Sequence, residues 1–179
     1  MTTTRTPPRI PLSAARLRLP LWQRGQQRMR EKYGFDLNDP AALGRARQML
    51  AARPDDADLH LLVASVLATQ GNNDAAEGEV RRAVELNPDS ARAHTTLATL
   101  LVQKGEADAG LQEARWAAEI DDKDPTVLYN VGLAEWTAGS RGAANKAFRA
   151  AWEALNGPGG TRMPWWRRIF GRGKVPPSP

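Results

Sequence analysis

The 179-residue sequence contains no cysteine and only two histidines. The absence of cysteine excludes disulfides, thiolate metal sites and cysteine nucleophiles. Two histidines leave most metal sites and general-base schemes without enough ligands or bases. No apolar run approaches the roughly 20 residues that a membrane-spanning helix needs. Hydrophobic residues make up 41% and charged residues 25%, so we expect one soluble, mostly helical domain with tails.

The net charge of +5 hides three blocks of different sign. Residues 1–53 carry 11 basic and 3 acidic residues, residues 54–156 carry 9 and 17, and residues 157–179 carry 5 and none. An acidic middle is therefore flanked by two basic ends, which suggests that the ends meet an anionic partner or fold back on the middle. Arginine outnumbers lysine 20 to 5, a bias that favours a GC-rich, bacterial source.

The middle of the chain aligns with itself when it is shifted by 34 residues. Small or apolar residues recur there in three copies at helical spacing: Val63, Leu97 and Val131; Ala64, Ala98 and Gly132; Gly71, Gly105 and Gly139; Ala76, Gly110 and Ala144; Val80, Ala114 and Phe148; Ala83, Ala117 and Ala151. A period of this length is typical of stacked helical repeats, in which each unit buries its apolar face only against its neighbours.

The order of residues within each copy identifies the kind of repeat. The first copy reads His60-x₂-Val63-Ala64-x₂-Leu67, then Ala76-x₃-Val80, Ala83 and Pro88. This pattern resembles the tetratricopeptide repeat, a helix–turn–helix unit with the consensus W-x₂-L-G-x₂-Y, A-x₃-F, Ala and Pro. The copies depart from the consensus at the Trp slot, which holds His60, His94 and Leu128, and at the closing Pro of the second copy, which is Asp122. A degenerate copy precedes them, with matching residues at Tyr33, Ala42, Ala46 and Pro54.

The resemblance implies an all-α, right-handed α-solenoid of antiparallel helix pairs, with three clear units, one degenerate N-terminal unit and basic, flexible ends. We divide the chain into a basic Pro-rich extension (1–20), the degenerate repeat (21–54), three repeats (55–156), and a Gly/Pro linker with a Trp/Arg-rich tail (157–179). Helices are predicted near 22–33, 40–52, 56–70, 73–86, 90–104, 107–120, 125–138 and 141–155. We expect Gly71, Gly105 and Gly139 to end the first helices in the left-handed conformation, and Asn73 and Asp74 to cap a second helix.

In this family the first helix of each unit lines a concave groove that holds peptides or partner helices. By its slots, the resemblance assigns one set of groove residues: Leu61, Ser65, Arg92, Thr95, Thr99, Tyr129, Leu133 and Trp136. The Lys/Asn/Arg clamp with which some members hold a C-terminal carboxylate is missing, because Leu61 and Ser65 occupy two of its slots. We call Tyr129, Leu133 and Trp136 the aromatic corner. It has two interpretations, an anchor pocket for a partner's apolar side chain or a contact with a following helix or the chain's own tail.

The two basic ends have their own interpretations. Met1–Pro20 carries four prolines and no acidic residue, so we expect it to be disordered or extended. The C-terminal tail interleaves aromatic, aliphatic and basic residues, which we assign to docking: Trp165, Trp166, Arg167, Arg168, Ile169 and Phe170. Three surfaces fit that composition, namely another protein or the chain's own repeats, an anionic membrane surface, and nucleic acid.

Catalytic and metal sites are not predicted. His60 and His94 occupy the same slot of consecutive units, about 10 Å apart, which is too far for a shared metal ligated at roughly 2 Å. Asp121, Asp122 and Asp124 lack the glycine and the closing Glu of a calcium loop. No nucleophile set, phosphate-binding loop or dinucleotide fingerprint is found. We therefore expect no enzyme and no cofactor.

The sequence predicts a cytoplasmic adaptor or assembly scaffold that binds another protein's peptide or helix in the groove. The Trp/Arg tail would dock it to a second surface. The alternative is a peripheral adaptor, held by the tail at the inner face of a membrane or on a membrane protein complex. A nucleic-acid binder is the third hypothesis, and the acidic middle argues against it.

Overall fold

The computed structural model describes residues 12–157, with side chains at 21 and 23–157. This part of the chain consists of helices and short turns and has no strand. The helices are α1 (Leu12–Tyr33), α2 (Ala42–Ala52), α3 (Ala57–Thr69), α4 (Asn73–Leu86), α5 (Ala91–Lys104), α6 (Ala107–Ile120), α7 (Pro125–Thr137) and α8 (Arg141–Asn156). No helix among these described residues is long and apolar enough to cross a bilayer.

Three helix pairs form the stack, and their bounds agree with the prediction within one or two residues. The pairs are α3 with α4, α5 with α6, and α7 with α8. Neighbouring pairs contact each other through α4 and α5 and through α6 and α7, and α2 packs on α3. The α-solenoid predicted from the 34-residue period is confirmed.

The N-terminal helix differs from the prediction in length and in position. α1 begins at Leu12, ten residues before the predicted start, so residues 12–20 are helical and the expectation of extended chain there is wrong. Its main helix contacts are with α7 and α8, whereas α2 packs on α3. The residues predicted to form a degenerate hairpin thus place their second helix in the stack and send their first helix elsewhere.

The turns inside the units follow from local sequence. Gly71, Gly105 and Gly139 have φ of +81°, +88° and +90°, the left-handed conformation that glycine adopts at low cost and that ends the first helices as predicted. The cap of α4 is Asn72, whose side chain accepts a hydrogen bond from the amide of Ala75 at 3.4 Å. The prediction of Asn73 as a cap was one residue too late, since Asn73 is the first helical residue.

The interior is divided into two clusters joined by a seam of small residues. One cluster is built on α2 to α5 and includes the fully buried Leu62 and Val63. The other combines α1, α7 and α8 around Phe148. Between them lies the alanine cluster of Ala98, Ala114 and Ala134. Val102, Leu111 and Val131 pack against these alanines, so the seam combines a close approach of the helices with larger apolar side chains.

His60 and His94 tie the two helices of their units together. Nδ1 of His60 lies 2.7 Å from the Glu79 carboxylate on α4, and its Nε2 lies 2.9 Å from the carbonyl oxygen of Pro54. His94 repeats this geometry with Glu113 at 2.7 Å and Pro88 at 2.8 Å. Both histidines are buried. The residue that replaces Trp in these two units therefore packs and also links the first helix to the second helix and to the preceding loop.

Two helical glycines should respond in opposite directions to alanine. A Cβ at Gly110 would lie 2.7 Å from Cγ2 of Val102 and 3.0 Å from the Ala98 carbonyl oxygen, whereas a Cβ at Gly78 would meet nothing within 4 Å. We expect Gly78→Ala to stabilise by about 0.5–1 kcal/mol through helix propensity. Gly110→Ala should lose that gain to overpacking of about 1–3 kcal/mol. Urea melts of the two variants test this, and equal stabilisation of both would contradict the close approach of α5 and α6.

Candidate functional site: a groove that holds α1

The first helices α3, α5 and α7 form one face of the stack, which we call the groove face. α1 crosses this face. Lys32 and Tyr33, near its end, contact Asp58 on α3. One turn earlier, Met29 contacts Arg92 on α5 through its sulfur at 3.8 Å. Leu21 belongs to the cluster on α7 and α8. Residues 21–33 of α1 thus span the three units, so the groove face of this chain carries a helix of the same chain.

The aromatic corner belongs to the same apolar cluster as the buried end of α1. Tyr129 and Trp136 are buried in one cluster with Leu21, and Leu133 packs against the same cluster. The Tyr129 ring lies 5.8 Å from the Phe148 ring, which fixes it from behind. The Arg141 guanidinium lies 3.7 Å from the centre of the Trp136 ring, which is a cation–π contact. Both rings are therefore held in place where a leucine of α1 is buried.

An ion pair secures the other end of α1. Nζ of Lys32 donates to Oδ2 of Asp58 at 2.6 Å, and Arg92 lies 3.5 Å from Oδ1 of the same carboxylate. The hydrogen bond from Lys32 holds the pKa of Asp58 below its ordinary value, and the positive charges of both bases act in the same direction. The same hydrogen bond raises the pKa of Lys32. Asp58 is therefore an anionic contact for a cation that reaches the groove face.

The remaining predicted groove residues lie on α3 and α5 and, apart from Arg92, are neutral. Leu61 is only 1% exposed, in the cluster against which Met29 and Tyr33 pack. The hydroxyls of Ser65 and Thr95 donate to carbonyl oxygens of their own helices at 2.7 and 2.6 Å. Thr99 donates to the side-chain oxygen of Asn130 at 3.0 Å and so links α5 to α7. With these hydroxyls bonded inside the stack, Asp58 and Arg92 supply the charge on this face.

The fit of α1 to the groove face is incomplete. Only Leu21 is buried among its described side chains, and a narrow stripe of Gly25, Gln26, Met29 and Tyr33 is half-buried. Within the described residues, Nε1 of Trp136 and Oε1 of Gln26 are buried without a hydrogen-bond partner. Each such atom costs about 1–3 kcal/mol. A cleft of about 330 Å³ also separates part of α1 from the start of α7 at Asp124, Pro125 and Thr126.

The residues that α1 contributes were not predicted from the sequence. Leu21, Met29 and Tyr33 follow one another at intervals of eight and four residues, which is one face of a helix. That periodicity was the available signal, but the predicted helix began after Leu21. The six residues assigned to tail docking, Trp165 to Phe170, lie outside the described residues. In residues 12–157 no group of three or more His, Asp and Glu side chains is placed to hold a metal ion.

Comparison with solved structures shows the same fold in other repeat proteins. A crystal structure of MamA superposes with a TM-score of 0.57 at 19% identity, over 92% of this chain and 83% of that chain. A MamA fragment from Desulfovibrio magneticus gives 0.58 at 16% identity, over 82% and 77%. A thermophilic TPR protein of Thermus thermophilus gives 0.59 at 18% identity, over 79% and 80%.

Sequence comparison adds the family. No curated protein matches the chain significantly. Residues 40–100, from the turn before α2 into α5, match the family model of the tetratricopeptide repeat. This match, the helix pairs, the left-handed turn glycines and the structural neighbours agree with one another. Residues 40–100 therefore carry the tetratricopeptide-repeat pattern, and the described part of the chain has the fold of solved tetratricopeptide-repeat proteins.

Proposed function

We propose that the chain is a non-enzymatic adaptor or assembly scaffold that binds a helix or peptide of another protein on the groove face. Tetratricopeptide repeats generally serve as protein-interaction adaptors, which supports the broad class. The observation that carries the specific proposal is α1 itself, because a helix that lies on the groove face is a template for a partner's helix. Leu21 in the aromatic corner and Lys32 on Asp58 are the two contacts that such a segment uses.

Removal of the Trp136 side chain should abolish partner capture. An aromatic anchor in a desolvated pocket is a typical hot spot, worth about 2 kcal/mol or more, which is about a 30-fold loss of affinity. The test is quantitative capture from cells of the source organism with wild-type chain, Trp136→Ala and Trp116→Ala as baits. Trp116 is the matched control, because it lies 56% exposed on α6, away from the groove face. Partners that bind wild type and Trp116→Ala should be lost with Trp136→Ala.

Two further baits make the result interpretable. Trp136→Ala also removes a buried ring and so affects stability. Ser65→Lys is therefore a second groove variant, which adds a cation to the groove face and leaves the side chains of the aromatic corner in place. A chain that ends at Asn156 separates the groove from the tail, whose proposed role is a second docking contact that raises avidity. Unchanged capture by both groove variants would contradict the proposed function, whatever the shortened chain does.

A further inference from the structure

We infer that the groove face recognises a basic amphipathic helix of a partner protein, and that α1 is an internal stand-in for it that the partner displaces. This rests on the proposed function and adds the partner's chemistry and the competition within the chain. The partner helix carries an apolar residue for the aromatic corner and, eleven residues later, a cation for Asp58, as α1 does with Leu21 and Lys32.

The excess of acidic residues in the stack favours a basic partner. Residues 54–156 carry 17 acidic and 9 basic residues, and residues 12–33 carry six basic residues and Glu31. α1 adds a second cationic contact at the other end of the stack, where Arg24 approaches the carbonyl oxygen of Leu155 at 3.5 Å, near the end of α8. A helix C-terminus carries partial negative charge and favours a cation. The stack therefore attracts a positively charged helix at both ends of the groove face.

The incomplete fit of α1 makes it replaceable. The described part of α1 buries one leucine fully and is otherwise held by a half-buried stripe, an exposed ion pair and a few long hydrogen bonds of 3.4–3.8 Å. Three buried side-chain atoms are unpaired within residues 12–157, and two of them belong to α1 and to the aromatic corner, namely Oε1 of Gln26 and Nε1 of Trp136. A partner helix with a hydrogen-bond acceptor beside Trp136 and an apolar residue in place of Gln26 would remove both costs. Such a helix competes successfully because it makes the contacts of α1 without these two defects.

A labelled synthetic peptide of residues 12–33 is the probe for this competition. It is added to the full-length chain as wild type, Leu21→Asp and Gln23→Asp, and binding is followed by fluorescence anisotropy. Leu21→Asp places a charge in the aromatic corner and releases the internal helix, whereas the exposed Gln23 gives the same charge change without touching the groove face. Because apparent affinity scales with the open fraction, Leu21→Asp should bind the peptide at least ten-fold more tightly than the other two. Equal affinity of all three chains, or no binding by Leu21→Asp, would overturn the inference.

Charge reversal tests the predicted register independently of any unfolding. A chain with Leu21→Asp and Asp58→Lys should bind the wild-type peptide at least five-fold more weakly than Leu21→Asp alone. A peptide with Lys32→Glu should recover that loss, since the ion pair is restored with its polarity reversed. Failure of the recovery, with both chains still folded by circular dichroism, contradicts the assigned contact.

The assay separates the inference from the proposed function because it contains no cellular partner. Loss of partners with Trp136→Ala, together with equal peptide binding by wild type and Leu21→Asp, would keep the adaptor function and reject displacement of α1. Tighter peptide binding by Leu21→Asp, together with unchanged partner capture by Trp136→Ala, would support displacement of α1 and reject the adaptor function. A stoichiometric dimer of the wild-type chain in light scattering would assign the groove face to α1 of a second copy and reject a separate partner.

Discussion

Phe148→Ala should unfold the last repeat while the first full repeat stays folded. Phe148 is 2% exposed, packs on the Tyr129 ring, and would meet a Cβ at Gly132 at only 2.5 Å, so it fills the space between α7 and α8 completely. A buried Phe→Ala change costs about 3–5 kcal/mol. Because α7 and α8 form the last unit of the stack and pack on one neighbouring unit and on α1, the loss falls on this terminal unit first. Urea denaturation followed by hydrogen exchange should show protection lost across α7 and α8 and kept across α3 and α4.

The conservative control is Phe148→Leu, which keeps most of the volume and should cost less than about 1.5 kcal/mol. The physical reason for separate unfolding is that Phe148 belongs to the cluster of α1, α7 and α8, which is separate from the cluster built on α2 to α5. Simultaneous loss of protection in all units of Phe148→Ala would contradict this division of the stack.

Leu62→Ala should lower the stability of the central units by about 2–5 kcal/mol. Leu62 is fully buried in the cluster that is built on α2, α3, α4 and α5. Its side chain therefore contributes to the packing of these four helices. Because α7 and α8 stack on the unit of α5 and α6, which packs on this cluster, we expect the whole stack to unfold at a lower urea concentration. Ile120→Ala is the matched control, because Ile120 is 37% exposed on α6 and should change stability by less than about 0.5 kcal/mol. Comparable shifts for Leu62→Ala and Ile120→Ala would show that the cluster is not the main source of stability.

The stack could be predicted from sequence because its contacts are local and repeated. Ala83, Ala117 and Ala151 are all fully buried, and each occupies the same place in its unit. A pattern that recurs every 34 residues reports on neighbouring helices, so the helix bounds followed from it. The glycines after the first helices were predictable for a related reason, since a left-handed residue is needed at each of these turns.

The position of α1 could not be predicted in this way. Leu21 and Trp136 are more than one hundred residues apart, and no periodicity connects a helix that occurs once to the repeats that hold it. Prolines at Pro11 and Pro20 also pointed to extended chain, although the helix includes Pro20. The three charge blocks did indicate this contact, because a basic end that folds back on the acidic middle was one of the two arrangements that they suggested. The structure adds which face is covered and which residues make the contact.

The residues of the aromatic corner were predicted to lie together, but their contacts within the chain were predicted only in part. Tyr129, Leu133 and Trp136 are together, as their helical spacing required. The expected contact with a following helix is present, because Phe148 and Arg141 of α8 contact Tyr129 and Trp136. The structure adds Leu21 of α1 to the same cluster, which was not predicted. The polar contact at Asp58 belongs to the same surface, and only the fold shows that Lys32 reaches it.

The most direct measurement is a set of nuclear Overhauser effects in the full-length chain with selectively labelled leucine methyl groups. If α1 lies on the groove face, the Leu21 methyls should show contacts with ring protons of Tyr129 or Trp136, and these should vanish on addition of excess peptide 12–33. Contacts from Leu21 only to residues of α1 and α2 would contradict the structure on which the adaptor mechanism depends.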